Sequence, residues 1–157
     1  MATINATTPA LADVLSALSG AGSGDVVVVP TGSATWGTAF NIPAGVTLEG
    51  DASGTVITTT VSAESGTIGL SSSATVKNFT ISGGASPPFG ITTGAQGWRI
   101  TGITYTSYAA TSFFLQLTTT GATYGLIDNC HITGPSDQSE LIYTRGATDA
   151  WDYAATY

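Results

Sequence analysis

Three hexapeptides in the middle of the chain share one pattern of apolar and polar positions: Val76 to Ile81, Ile100 to Tyr105 and Ile127 to Ile132. Each reads apolar, variable, Asn or Gly, apolar, polar, apolar, at offsets of 24 and then 27 residues. Ile91, Leu115 and Ile142 repeat at the same offsets. A third mark, the triplets Thr93-Gly94-Ala95, Thr120-Gly121-Ala122 and Arg145-Gly146-Ala147, recurs at offsets of 27 and then 25 residues. A period in the twenties, made of short runs without a helical spacing, predicts a solenoid of parallel β-strands.

The third hexamer position carries the geometry. It holds Asn78, Gly102 and Asn129, residue types that enter the left-handed backbone region at little cost. In a strand, side chains on one face recur every second residue. Here the apolar positions are one, four and six, so the phase breaks after the third. A left-handed residue bending the chain between two short strands restores it. The expected inward stacks are Val76/Ile100/Ile127, Phe79/Ile103/Cys130 and Ile81/Tyr105/Ile132, with neighbours about 4.8 Å apart.

Ahead of the repeats, Thr8-Pro9 predicts a helix start. Leu11, Val14, Leu15 and Leu18 then give one apolar helical face, and Gly20 ends it. Residues 1–24 are therefore expected to be an arm and a capping helix over the first coil, and residues 25–157 the coils. Asp25 to Val29 reads as a strand, with Trp36 and Phe40 in the loop beyond. Val46 to Gly50 opens the regular coils with Gly50 in the slot of Asn78, and Ala52-Ser53-Gly54 forms a small excursion. A further strand is expected around Thr67 to Leu70, a turn from Ser82 to Phe89, and longer loops from Tyr105 to Phe114 and Gly134 to Leu141. The coil begun at Arg145 is expected to be incomplete at Tyr157, leaving an edge for further coils or a partner chain to cover.

The recurring Asn bend, with Asp13 to Leu18, Gly24 to Gly32 and Ile42 to Gly50 before it, resembles the right-handed parallel β-helix of the pectate-lyase-like superfamily. That resemblance implies an all-β, right-handed parallel β-helix with a short N-terminal capping helix. It leaves function open, because the superfamily holds lyases, hydrolases, phage tailspikes and adhesins.

Composition narrows the choice. Charged residues make up 8% of the chain and hydrophobic ones 42%, which suits a packed β fold and not disorder. The net charge of −7 is set against three cations, Lys77, Arg99 and Arg145, so no nucleic-acid partner is expected. No apolar run reaches the length of a membrane span, and no membrane partner is expected. Met1 to Ala6 has neither the basic segment nor the apolar core of a signal peptide. The lone Cys130 reads as a small inward apolar residue, and with the lone His131 it makes no metal site. Neither cofactor nor metal is expected.

The enzymes the chain resembles hold Ca²⁺ with carboxylates on one outer face and take a proton with a nearby Arg or Lys. Successive coils here read Lys77/Thr101/Asp128 and Thr80/Thr104/His131, and on another sheet Thr92/Gln116/Tyr143 and Gly94/Thr118/Arg145. None is a carboxylate column. Asp137 with Glu140 and Asp149 with Asp152 are the close acidic pairs, the former in a loop that reads as solvated or as an ion or sugar contact. His131 reads as a surface histidine, and no nucleophile, base and orienting group come together. Phe114, Gln116, Tyr143 and Arg145 are the candidate ligand-binding residues, if all four lie on an outer face. The threonines give no long outward Thr-x-Thr ladder, so an ice-binding face is not expected.

The reading that follows is a non-enzymatic structural or adhesion module, the ordered N-terminal part of a virion surface or tail protein. Its partners would be neighbouring copies or other virion subunits, in a trimer by the tailspike resemblance, and surface glycans. Its place would be extracellular or on the virion surface. The alternatives are an extracellular polysaccharide lyase or hydrolase with active-site coils beyond residue 157, and a surface carbohydrate-binding β-helix.

Overall fold

The computed structural model describes residues 1–61, 66–83, 87–107, 114–118, 122–133 and 142–145, with backbone alone for residues 107, 118 and 143–145. It is a parallel β-solenoid of about five turns with one short helix. Strand β1 (Thr3–Asn5) and helix α1 (Leu11–Ser19) precede the coils. The first coil is β2 (Val26–Val29), β3 (Gly32–Trp36) and β4 (Phe40–Ile42). The second is β5 (Thr47–Gly50), β6 (Thr55–Thr59) and β7 (Ile68–Leu70). The third is β8 (Thr75–Lys77), β9 (Thr80–Gly83) and β10 (Phe89–Ile91). The fourth is β11 (Gln96–Thr101), β12 (Thr104–Ser107) and β13 (Leu115–Thr118), and the fifth β14 (Tyr124–Asp128), β15 (His131–Thr133) and β16 (Ile142–Arg145). Equivalent strands stack into three sheets: β1-β2-β5-β8-β11-β14, β3-β6-β9-β12-β15 and β4-β7-β10-β13-β16.

The hexamer repeat sets the corner between the first two sheets. Ile100 pairs in register with Val76 and Ile127, and Tyr105 with Ile81 and Ile132. Asn78, Gly102 and Asn129 have φ of 62°, 62° and 52°. Each bend is stitched to the next coil: the Asn78 N–H donates to the Thr101 carbonyl and the Gly102 N–H to that of Asp128, both at 3.2 Å. The alternation of Asn and Gly has a steric cause, because a Cβ on Gly102 would run into the Asn78 side-chain oxygen. Gly50 lies beside the Asn78 carbonyl but stays within β5. The bend there is replaced by the turn Asp51 to Gly54, in which Asp51 accepts the Ser53 N–H at 2.7 Å.

Inside, Val76, Ile100, Ile81, Phe79, Ile103 and Tyr105 are all buried, and Ile127, Ile132 and Cys130 of the fifth coil pack partly buried against them. Burial raises the Cys130 thiol pKa, as expected of a thiol whose anion would be poorly solvated.

Four expectations are corrected. Leu15 lies outward and Ala17 takes its place on the buried helix face, beside Val14 and Leu18. The helix begins at Leu11 behind an uncapped Ala10, while the Thr8 hydroxyl accepts the Ala10 N–H at 3.2 Å. Trp36 and Phe40 belong to strands β3 and β4; Trp36 is wholly buried, its Nε1–H donating to the Pro9 carbonyl at 3.0 Å. In the third sheet the register is slipped by two residues: Leu115 pairs with Phe89 and Ile142, and Ile91 pairs with Leu117. A slip of two keeps every side chain on its face, so Ile91 and Leu115 are buried as expected, whereas Ile142 of the fifth coil is 40% exposed.

Candidate functional site

The third sheet separates the four residues expected to form one binding face. Phe114 is 1% exposed and turns into the core, its ring 5.2 Å from that of Phe89 and 5.6 Å from that of Tyr105. It is a packing residue, and the expected outer position is corrected. Gln116 pairs in register with Gly90 on one side and Tyr143 on the other. The column it completes runs Asn41, Gly69, Gly90, Gln116 and Tyr143, so Thr92 is not its member. Arg145 pairs with Thr118; its side chain and that of Tyr143 lie outside the described residues. The loop with Asp137 and Glu140, and the pair Asp149 and Asp152, also fall outside them.

Over this column lies a groove of about 460 Å³, lined among others by Phe40, Asn41, Gly69, Gly90 and Gln116. Its floor is backbone. A Cβ on Gly69 would meet the Asn41 side-chain oxygen, and one on Gly66 would meet the Gly90 amide. The glycines thus make room for the Asn41 side chain and for close approach of the coils, and Asn41 and Gln116 line the groove. Gly66, Gly69, Gly90 and Gln116 are buried, and Asn41 is the exposed hydrogen-bonding side chain among the described residues of the column.

The first sheet carries the ionic contacts. Lys77 Nζ is 3.0 Å from Glu49 on the preceding coil. Arg99 holds Asp128 on the following coil by two bonds, Nε to Oδ1 at 3.0 Å and Nη2 to Oδ2 at 2.6 Å. This fork pulls the Asp128 carboxyl below its usual range, chiefly through the Arg99 hydrogen bonds. Asp25 is lowered by the amides of Ala2 and Gly22, and Asp51 by Ser53. Each of these acids serves the fold. Asp25 ties down the N-terminal arm, Asp51 closes a turn, and Asp128 joins two coils. Among the described residues no three His, Cys, Asp or Glu gather to hold a metal.

The expected columns Lys77/Thr101/Asp128 and Thr80/Thr104/His131 stand in register as read. The second of them belongs to a larger array that local sequence pattern does not reveal. On the outer face of the second sheet, Ser33, Val56, Thr80, Thr104 and His131 form one column. Thr35, Thr58, Ser82, Thr106 and Thr133 form the other. Only one of its five rows, Thr104-Tyr105-Thr106, is Thr-x-Thr, so no long regular Thr-x-Thr ladder is present, as expected; what sequence reading misses is a mixed array of Thr, Ser, Val and His. The signal is present as five triplets flanking the inward Ala34, Ile57, Ile81, Tyr105 and Ile132, but the residues of β3 read locally as a loop.

No protein-family model, curated protein or solved structure matches this chain.

Proposed function

We propose that the chain is a non-enzymatic structural or adhesion module of an extracellular or virion-surface assembly, joined to neighbouring copies or other subunits through its fifth coil. The observation that carries the reading is a change along the outer face of the first sheet. Its middle coils present Thr47, Glu49, Thr75, Lys77 and Arg99, whereas β14 presents Tyr124 and Leu126, 64% and 52% exposed. Ile142 of the same coil is also exposed. Large apolar side chains grouped on one coil favour a protein neighbour over water. The paired charges support the same reading, because Asp128 is engaged by Arg99 and Glu49 by Lys77. A polysaccharide lyase would need such groups for cation or proton. The stacked bend Asn78, Gly102 and Asn129 supports kinship with the pectate-lyase-like superfamily, whose tailspikes supply the precedent for a trimer.

Sedimentation velocity over a range of concentrations tests the assembly. The chain is expected to self-associate, and Leu126→Asp, at an exposed position, to weaken association without loss of fold. A wild-type chain that remains monomeric throughout sets the proposal aside. A second reading, a glycan site, is favoured by the glycine-floored groove with Asn41 and Gln116; glycan-array binding lost in Asn41→Ala would support it.

A further inference from the structure

We propose that the outer face of the second sheet binds ice, its ligand being the ordered oxygen lattice of crystalline water; this goes beyond the assembly reading and does not rest on it. The face is a grid of two columns and five rows: Ser33 and Thr35, Val56 and Thr58, Thr80 and Ser82, Thr104 and Thr106, His131 and Thr133. Six positions are Thr and two are Ser. Eight of the ten are exposed, and Ser82 and Thr106 are partly so.

Four features of the grid point to a crystalline ligand. First, its two repeats are fixed by backbone: about 4.8 Å between rows, the strand spacing, and about 6.6 Å between columns, two residues along a strand. The prism face of hexagonal ice presents oxygen rows with a comparable pair of repeats. Second, the register runs through all five strands without a shift. The first sheet, by contrast, has an irregularity between Gln96 and Trp98. Third, Thr is stiff at χ1, so each of the six Thr sites holds a methyl and a hydroxyl in fixed directions. Neighbouring rows act together, as in the contact of the Thr58 and Ser82 hydroxyls at 3.2 Å.

Fourth, the grid holds no Asp, Glu, Lys or Arg. Strongly hydrated ions would impose their own water order, whereas alternating methyls and hydroxyls can accept that of a lattice. The face also lacks the aromatic platform on which a sugar ring would stack; its one ring is His131, at the fifth row. The first sheet has its ion pairs and the third its groove, so this neutral grid is particular to the second. Each hydroxyl adds little alone, but a rigid grid engages many sites of a repeating surface at once, and release requires all of them to let go together.

The test is partition of the purified 157-residue chain into slowly growing ice, with inhibition of ice recrystallisation as a second readout. The wild type is expected to be enriched in the ice. Thr80→Lys and Thr104→Lys, central and outward, are expected to be excluded, while Thr93→Lys, on a turn outside the grid, stays enriched. Circular dichroism and the melting temperature establish that each variant is folded; Thr80→Val, which keeps strand propensity, serves if a Lys variant is not, and is expected to weaken partition. Exclusion of the wild type at the level of a non-binding protein of its size overturns the proposal. So does equal enrichment of wild type and Thr80→Lys. Retention on microcrystalline cellulose in place of ice, lost in Thr80→Lys, would assign the face to a glycan and likewise overturn it.

Discussion

The passage from the first sheet to the second and the passage from the second to the third are built differently. In the last three coils the first passage is always two residues: Asn78-Phe79, Gly102-Ile103 and Asn129-Cys130. The second passage is never constant. It takes three residues after Trp36, eight after Thr59, five after Gly83, seven after Ser107 and eight after Thr133. A two-residue corner with a left-handed first residue and a buried second has almost no freedom, so it writes itself into the sequence at a fixed spacing. A passage of varying length closes at modest cost whatever its length, so it leaves no such spacing.

The largest expected effect separates these two passages directly. Insertion of one Gly between Asn78 and Phe79 would turn β9 by one residue, driving Ile81 outward and Thr80 into the core. The chain is expected not to fold, as judged by loss of the cooperative thermal transition. One Gly inserted between Gly83 and Pro87 is expected to cost less than about 1 kcal/mol, because loop closure depends only weakly on length. Equal tolerance of the two insertions would break the comparison.

A smaller effect tests the corner's buried residue. Ile103 is 1% exposed within the stack of Phe79 and Cys130. Ile103→Ala is expected to cost about 2–5 kcal/mol in urea unfolding, the usual range for emptying a large core position. A cost below about 1 kcal/mol would mean that the stack is loose there.

Next in size is the bend residue itself. Gly102 has φ of 62° and no room for a Cβ against Asn78. Gly102→Val combines a left-handed β-branched residue with that contact, and is expected to destabilise by about 1–3 kcal/mol. Asn78→Gly in the same chain should recover part of the loss, since it removes the opposing oxygen and tolerates the φ of 62° at that position. Failure of the double variant to improve on the single one would leave backbone strain as the whole effect.

The same contrast explains how much is legible without the structure. The hexamers specify the coil, the inward stacks of the first two sheets and the positions of the bends, because each follows from a two-residue corner. Their spacing puts the third sheet two residues out at Ile91 and Leu115, because the passage into β13 is longer than that into β10. Phe114 defeats the outward assignment for a related reason. It stands just before β13, where alternation does not yet hold, and its neighbours Phe89 and Tyr105 come from two different sheets. The grid is hidden by its first rows. Gly32 and Ser33 read as turn residues beside Pro30, and Val56 interrupts the hydroxyls; pairing across coils, which no local pattern shows, brings Thr35 and Thr58 into line with Ser82 and Thr106.

The smallest effect concerns the ionic contact that spans the fourth and fifth coils beside the bend. Asp128 precedes Asn129, and its pKa is lowered, mainly by hydrogen bonds from Arg99. In the unfolded chain an Asp titrates near about 3.9. A carboxyl whose folded pKa lies below that value adds stability that is fully present above the unfolded pKa, and that is lost as pH falls through the folded one. Asp25 and Asp51 shift in the same direction, so the whole chain is expected to lose stability in acid, and the wild-type curve alone cannot single out Asp128. The comparison with Asp128→Asn does. The wild type should exceed the variant by a small, constant margin from neutral pH down to about pH 5, and the margin should close on further acidification. Added salt should shrink it at neutral pH, because the Arg99 and Asp128 side chains are 47% and 25% exposed and such pairs are screened. A margin that ignores both pH and salt would mean that the Arg99 fork contributes nothing, and that the two-residue corner alone fixes the fifth coil on the fourth.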